Sequence, residues 1–350
     1  MCFSTFAFCL CTVAFLPVVN SGGAQDPPPP PVRATPTPTP AADSAAHAED
    51  ETVRVDTELT EILLTAIDKE RRFVTTLRPE DVEVYEDDVR QDVTTFQRET
   101  DVPLSLAVLV DTSASQEQVL KDEKEAARAF IDSVLRPEKD SAAVLSFTGV
   151  TWINQSLTGD AARLREAVES LKVVYTATNP ECNSDNLTDE QILRCRTAVW
   201  DALIITVDKV LSQTARTRRA VILLSDGDDT ASDAEREEAV DFAVKHDAVL
   251  YSIGIRDENF PHGKLRRDDL RKASERTGGR AFFPRTRADL DSAFRQINDE
   301  LRSQYLVAYR PSNTKHDGAF RRVRVEITNP AFKKEKVRLL YRQGYYAKTL

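Results

Sequence analysis

Cysteine and histidine are scarce in this chain, five and four residues in 350. No histidine stands near a motif, and two cysteines with no further ligands do not make a zinc centre. Gly-x-Ser-x-Gly with a matched histidine is missing, which argues against a serine hydrolase. Gly-x-Gly-x-x-Gly is missing after the first buried strand, which argues against a dinucleotide fold. No Lys/Arg stripe interleaved with aromatics occurs, and the net charge is −10. A nucleic-acid partner is therefore not expected. The acidic balance suits a soluble, cation-tolerant surface. There is no internal repeat.

Three of the five cysteines, Cys2, Cys9 and Cys11, lie in or beside the apolar run Phe3 to Val19. Small residues follow, Asn20-Ser-Gly-Gly-Ala-Gln25. Residues 1–24 read as a signal peptide cut after Ala24. The run has no Lys or Arg before it, so an uncleaved anchor, tethering the protein to a membrane, stays open as the alternative. Either reading places the folded part outside the cytoplasm: secreted, periplasmic or on the cell surface. Cys182 and Cys195 remain, a disulfide candidate in an oxidising compartment, with two unrelated buried thiols as the bland alternative. Residues 25–51 are first Pro/Thr-rich and then Ala/acidic; they read as a tether that builds no core.

Residues 52–100 read as β. Val53, Val55, Thr57 and Leu59 alternate, Ile62 to Ile67 follows, and Val82 to Tyr85 and Val89 to Phe96 flank the acidic turn Glu86-Asp-Asp88. Residues 101–302 alternate strand and helix. Strands are expected at Leu104–Val110, Ser141–Phe147, Thr151–Ser156, Arg219–Ser225, Ala248–Ile255 and Arg280–Phe283. Helices are expected at Gln116–Leu135, Asp160–Leu171, Thr197–Ser212, Asp233–His246, Arg267–Arg276 and Arg287–Leu301. The fold class is α/β: a doubly wound, mostly parallel sheet with helices on both faces. Ser141–Phe147 and Thr151–Ser156 are close enough for a hairpin, which adds one antiparallel edge strand. Residues 303–350 return to β at Gln304–Tyr309, Phe320–Thr328 and Glu335–Tyr341. Three strands seldom stand alone. They are expected to complete the N-terminal β segment as a small sandwich, with the α/β part inserted between.

The chemistry concentrates where apolar strands end. Leu104 to Val110 runs into Asp111-Thr-Ser113-Ala-Ser115. One carboxylate and two hydroxyls at i, i+2 and i+4 turn their oxygens the same way at the mouth of a parallel sheet, where ligands of open α/β folds bind. Arg218 to Ser225 runs into Asp226-Gly227. Thr197 opens an amphipathic segment, so its hydroxyl is expected at a helix N-terminus. Hard oxygens suggest a small hard cation, Mg²⁺ first, then Mn²⁺ or Ca²⁺.

This pattern resembles a von Willebrand factor type A (VWFA) domain and its metal-ion-dependent adhesion site (MIDAS). The likeness spans Leu104 to Leu301. With the flanking β segments and the closing Arg342-Gln-Gly-Tyr-Tyr, the chain is similar to exported VWFA-related proteins best known from Acidobacteria. The resemblance implies Ser113, Ser115 and Thr197 as direct or near-direct ligands, and Asp111 and Asp226 as ligands directly or through water. It implies a protein partner that offers an Asp or Glu carboxylate to the ion. The chain departs from the family before Thr197: it has Cys195-Arg-Thr197 where many relatives have a Gly-rich turn. The polar segment Thr178 to Arg194 would be closed by the candidate disulfide and lie on the rim.

Asp228, Asp229 and Asp233 read as a solvated loop with Asp233 as a helix N-cap, a second cation being the alternative. Arg216, Arg218 and Arg219 read as a solvated basic run. The leading function is a non-enzymatic, cation-dependent adhesion module. One alternative is an envelope-assembly or channel-accessory-like structural protein with a degenerate site. The other is Mg²⁺-dependent phosphoryl transfer. Aspartyl phosphatases need an acid two residues after the strand-end Asp; here Ser113 stands there.

Overall fold

A computed structural model describes residues 59–99, 101–174, 188, 195–214, 217–256 and 264–349. The expected leader, the tether, the alternation from Val53 to Thr57, Cys182 and nearly all of Thr178 to Arg194 lie outside these residues. All described residues belong to one contact unit, Val55–Leu350.

Four strands come first: β1 (Thr60–Ile67), β2 (Val82–Glu86), β3 (Val89–Gln91) and β4 (Val93–Glu99). The turn between β2 and β3 is Asp87-Asp88, and both residues have positive φ, 47° and 67°. That conformation matches the twist of the flanking strands, and Asp tolerates it better than most residues.

The α/β layers follow in order: β5 (Leu104–Asp111), α1 (Leu120–Val134), β6 (Ser141–Phe147), β7 (Thr151–Thr158), α2 (Ala161–Ser170) and α3 (Val199–Thr206). Then come β8 (Arg218–Leu224), α4 (Arg236–Lys245), β9 (Ala248–Ile253), α5 (Arg267–Thr277), β10 (Ala281–Phe282) and α6 (Arg287–Arg302). The sheet order is β10-β9-β8-β5-β6-β7. The pairings are parallel except that of β6 with β7, the expected hairpin.

The unbroken apolar strands are explained by two cores. Leu104, Leu106, Val108 and Val110 face Phe130 and Ile131 of α1, Leu164 of α2 and Phe294 of α6. Ala107 and Leu109 face Val199 and Leu203 of α3, Val240 of α4 and Leu270 of α5. A strand covered on both faces has no polar face to show. The doubly wound expectation holds.

The chain then returns to β: β11 (Gln304–Tyr309), β12 (Phe320–Ile327), α7 (Pro330–Lys334), β13 (Arg338–Tyr341) and β14 (Gly344–Tyr346). Two four-stranded sheets result, ordered β13-β1-β11-β4 and β14-β12-β2-β3. Each mixes strands from both ends of the chain. Ile62, Leu64, Val84, Val307, Tyr309 and Val323 fill the space between them. The crossings into and out of the α/β layers share one carboxylate. Asp140 accepts from the Leu104 N–H at 2.9 Å and from Arg302 Nη2 at 2.7 Å.

Several boundaries differ from expectation. The helix expected from Gln116 starts at Leu120, because Ala114–Gln116 forms a 3₁₀ turn beside the strand end. The strand expected from Glu335 starts at Arg338; a short helix precedes it, capped by Asn329 with Pro330 in its first turn. Asp233 is not an N-cap. Glu235 caps α4 in a reciprocal box with Glu238, and the Asp233 and Ala234 N–H groups donate to Asp201. The basic run is not solvated where it is described: Arg218 is buried and donates to Leu301 O, and Arg219 donates to Leu211 O and His246 O. No helix among the described residues is long and apolar enough to cross a membrane.

Candidate metal centre

β5 and β8 are parallel neighbours, with Val110 opposite Leu224. Their carboxyl ends therefore emerge side by side, and Asp111 and Asp226 are neighbours at the sheet's mouth. Ser225 ties the two ends together. Its Oγ donates to Asp111 Oδ2 at 2.6 Å and accepts the Gly227 N–H at 2.9 Å. Asp111 Oδ1 accepts the Ser113 N–H at 2.9 Å, an Asx turn that bends the chain off the strand.

That bend sets the two serines together: Ser113 Oγ lies 3.2 Å from Ser115 Oγ. Gln116 Nε2 donates to Ser115 Oγ at 3.1 Å. Asp226 Oδ1 accepts the Asp228 N–H at 2.9 Å. The turn after Asp226 needs glycine, because Gly227 has φ +75° and an added Cβ would stand 2.9 Å from Leu270 Cγ.

Thr197 is held against the loop that follows Asp226. α3 starts at Val199 after Ala198, so Thr197 precedes the cap position rather than opening the helix. Its backbone is locked to the loop after Asp226. The Thr197 N–H donates to Thr230 Oγ1 at 2.9 Å, and its carbonyl accepts the Thr230 and Ala231 N–H groups. The Ala198 N–H donates to the carbonyl of Thr148, the residue after β6. The segments that follow three neighbouring strands, β5, β6 and β8, thus meet at this end of the sheet. Asp228 and Asp229 are used locally: Asp228 pairs with Arg266 at 2.8 Å, and Asp229 accepts the Ala231 and Ser232 N–H groups.

Asp111 is fully buried and Asp226 nearly so, while Ser113, Ser115 and Thr197 keep 8–9% of their surface open. Burial pushes the Asp111 carboxyl up to about 7, and the neighbouring Asp226 adds to the rise against the bonds from Ser113 and Ser225. Burial also raises the Asp226 carboxyl, opposed by the Asp228 N–H and by Ser115.

One more carboxylate stands here. Glu123, in the first turn of α1, is 1% exposed and feels the charges of Asp111 and Asp226. The sequence carried a signal for it: Leu120, Glu123, Ala126, Ala127, Phe130 and Ile131 share the buried face of α1, and Glu123 is the one charge in that stripe.

The donor set fits a hard cation. Buried oxygens with no hydrogen-bond partner among the described residues include Asp226 Oδ2, both Glu123 oxygens, Gln116 Oε1 and Thr148 Oγ1. Among the described residues, no three His, Cys, Asp or Glu side chains gather closely enough to hold a metal by themselves. A cation here would need the serine and threonine hydroxyls. A cavity of about 1160 Å³ lies elsewhere, lined by Arg218 and Arg219 at the amino end of β8 and by Arg342. Cys195 is a half-cystine; its expected partner, Cys182, falls outside the described residues.

No family model matches the chain, and no curated protein matches it. Solved structures do. The chain is similar to the conserved hypothetical protein BatB from Bacteroides thetaiotaomicron, with 16% identity over 57% of this chain and 100% of that one, TM-score 0.42. It is similar to a von Willebrand factor type A structure from Catenulispora acidiphila, with 14% identity over 74% of each chain, TM-score 0.44. It is also similar to proximal thread matrix protein 1 from the mussel byssus with a zinc-occupied MIDAS motif, with 16% identity over 62% of this chain and 50% of that one, TM-score 0.46.

Proposed function

We propose that this protein is an exported, non-enzymatic binding module that engages a protein partner through a divalent cation. Asp111, Ser113, Ser115, Thr197 and Asp226 would hold the ion, Mg²⁺ first and Mn²⁺ or Ca²⁺ next. The observation that carries the reading is the pair of neighbouring serine hydroxyls close to Asp111, together with Asp226, whose Oδ2 is buried without a partner among the described residues. An unpaired buried carboxylate oxygen is costly unless something positive meets it.

A bound Mg²⁺ would supply an open, electrophilic coordination position. The protein's own residues do the rest. Neutral hydroxyls in place of carboxylates would leave less negative charge around the ion, so it would keep its attraction for an outside carboxylate. Buried Asp111 would hold the loop that carries Ser113 and Ser115, through the Ser113 N–H, and is itself fixed by the Ser225 hydroxyl; Asp226 Oδ1 is fixed by the Asp228 N–H. The rim loops, including the segment that a Cys182–Cys195 disulfide would close, would set which partner fits.

Phosphoryl transfer is disfavoured by Ser113, which occupies the acid's position and contacts Ser115 instead. Export and the tether rest on residues 1–51. Capture of partners by the mature protein in Mg²⁺ and in EDTA, with wild type and Asp111→Ala, tests the reading. Partners retained in Mg²⁺ and lost in EDTA and in the variant support it. An unchanged set in EDTA contradicts it.

A further inference from the structure

We propose that Glu123 is the third acidic residue of the cation site, acting from beneath it through the ion's bound water, and that it sets how tightly the ion is held before a partner arrives. This rests on the reading of Asp111, Ser113, Ser115, Thr197 and Asp226 as a cation site.

The position is wrong for a carboxylate of the core. On the buried face of α1 the neighbours of Glu123 are Leu120, Ala126, Ala127, Phe130 and Ile131. A charge in such a stripe costs free energy unless it is paired. Glu123 has no such pairing: both carboxylate oxygens are buried and accept no hydrogen bond among the described residues. The charges that bear on it are Asp111, Asp226 and Asp122, all negative. The two strongest are the two carboxylates of the site. Gln116, whose amide holds Ser115, likewise leaves a buried Oε1 without a partner. Glu123 and Gln116 thus hold buried oxygens without a donor among the described residues, and a cation is a group that would satisfy them.

The three carboxyl groups do not close on one point. Glu123 is thus a positioning residue rather than a direct ligand. Mg²⁺ sheds water reluctantly and keeps several waters in protein sites. A carboxylate behind those waters orients them and adds negative charge without crowding the ion. Outer groups of this kind change metal affinity by about 10–100-fold when removed.

The test uses Mn²⁺ alone as probe, with its free concentration read by electron paramagnetic resonance, on the mature protein as wild type, Glu123→Gln and Asp111→Asn. Melting in EDTA is the second readout. Glu123→Gln is expected to weaken Mn²⁺ binding about 10–100-fold, and Asp111→Asn to abolish it. Glu123→Met is expected to melt higher than wild type in EDTA and to gain less from Mn²⁺, and it replaces Glu123→Gln should that variant not fold. Wild-type Mn²⁺ affinity in the Glu123 variants, with Asp111→Asn still inactive in binding, overturns the role of Glu123 and leaves the site standing. A wild type that binds no Mn²⁺ overturns both.

Discussion

Ser225 donates its hydroxyl proton to Asp111 across two adjacent strand ends, at 2.6 Å. The bond does two jobs. It fixes the Asp111 carboxylate from one side while the Ser113 N–H holds the other oxygen, and it sets the spacing between the Asp111 and Asp226 loops. Ser225→Ala removes the donor and leaves a buried carboxylate oxygen unpaired. The expected cost is about 1–3 kcal/mol in urea unfolding, with cation affinity lower by about tenfold or more. A variant that matches wild type in both measurements would show that the bond orients nothing.

Gly227→Ala tests the turn that aims Asp226. A left-handed φ costs a residue with a Cβ about 1–2 kcal/mol, and here the added carbon also meets Leu270. Relief of that contact would move α5 or the Asp226 loop. The variant is expected to lose stability by at least that amount and to bind the cation more weakly, read by thermal melting with and without Mg²⁺.

Asp140 governs the junction between the sandwich and the α/β layers. Burial alone would raise its carboxyl, but Arg136, Arg302 and the Arg136 and Leu104 N–H groups more than offset that, so it is held well below the usual carboxylate range. A depressed folded-state pKa contributes stability that is present above the unfolded value near 3.8 and lost as pH falls below it. Asp140→Asn is expected to destabilise by about 3–5 kcal/mol at neutral pH. It is also expected to flatten the acid limb of the stability curve, measured by urea titrations from pH 6 to pH 3. An unaltered acid limb would assign acid sensitivity to other groups.

β1 and β4 are not neighbours; β11 lies between them. The N-terminal strands of that sheet therefore have no direct pairing with each other. A fragment of residues 59–103 is expected to show no cooperative melt by circular dichroism. A folded fragment would contradict the interleaved sandwich.

Much of this was legible in the sequence because burial leaves marks. Leu104 to Val110 and Arg219 to Leu224 show no alternation, since both faces are covered, and their polar ends announced Asp111, Ser113, Ser115 and Asp226. The return of β after Arg302 pointed to strands that needed partners. Other features were hidden by competing signals. Gln116-Glu-Gln118 are good helix formers, yet the site's Asx turn imposes a 3₁₀ turn there. Asp233 looked like a cap, but the Asp201 carboxylate holds its N–H and the helix starts later. Arg218 and Arg219 looked solvated because their acceptors are backbone carbonyls, which no sequence pattern displays. Glu123 was marked only by standing in an apolar stripe, and its meaning depends on two loops far away in the chain.

The proposed function requires Asp111, Ser113, Ser115, Thr197 and Asp226, from three loops, to hold one divalent cation. Calorimetric titration of Mg²⁺ into the mature protein tests it most directly. One saturable site in the wild type, absent in Asp111→Asn and Asp226→Asn and weakened in Thr197→Ala, is the predicted result. No saturable binding by the wild type, or variants that titrate as it does, would rule out a cation site built from these residues.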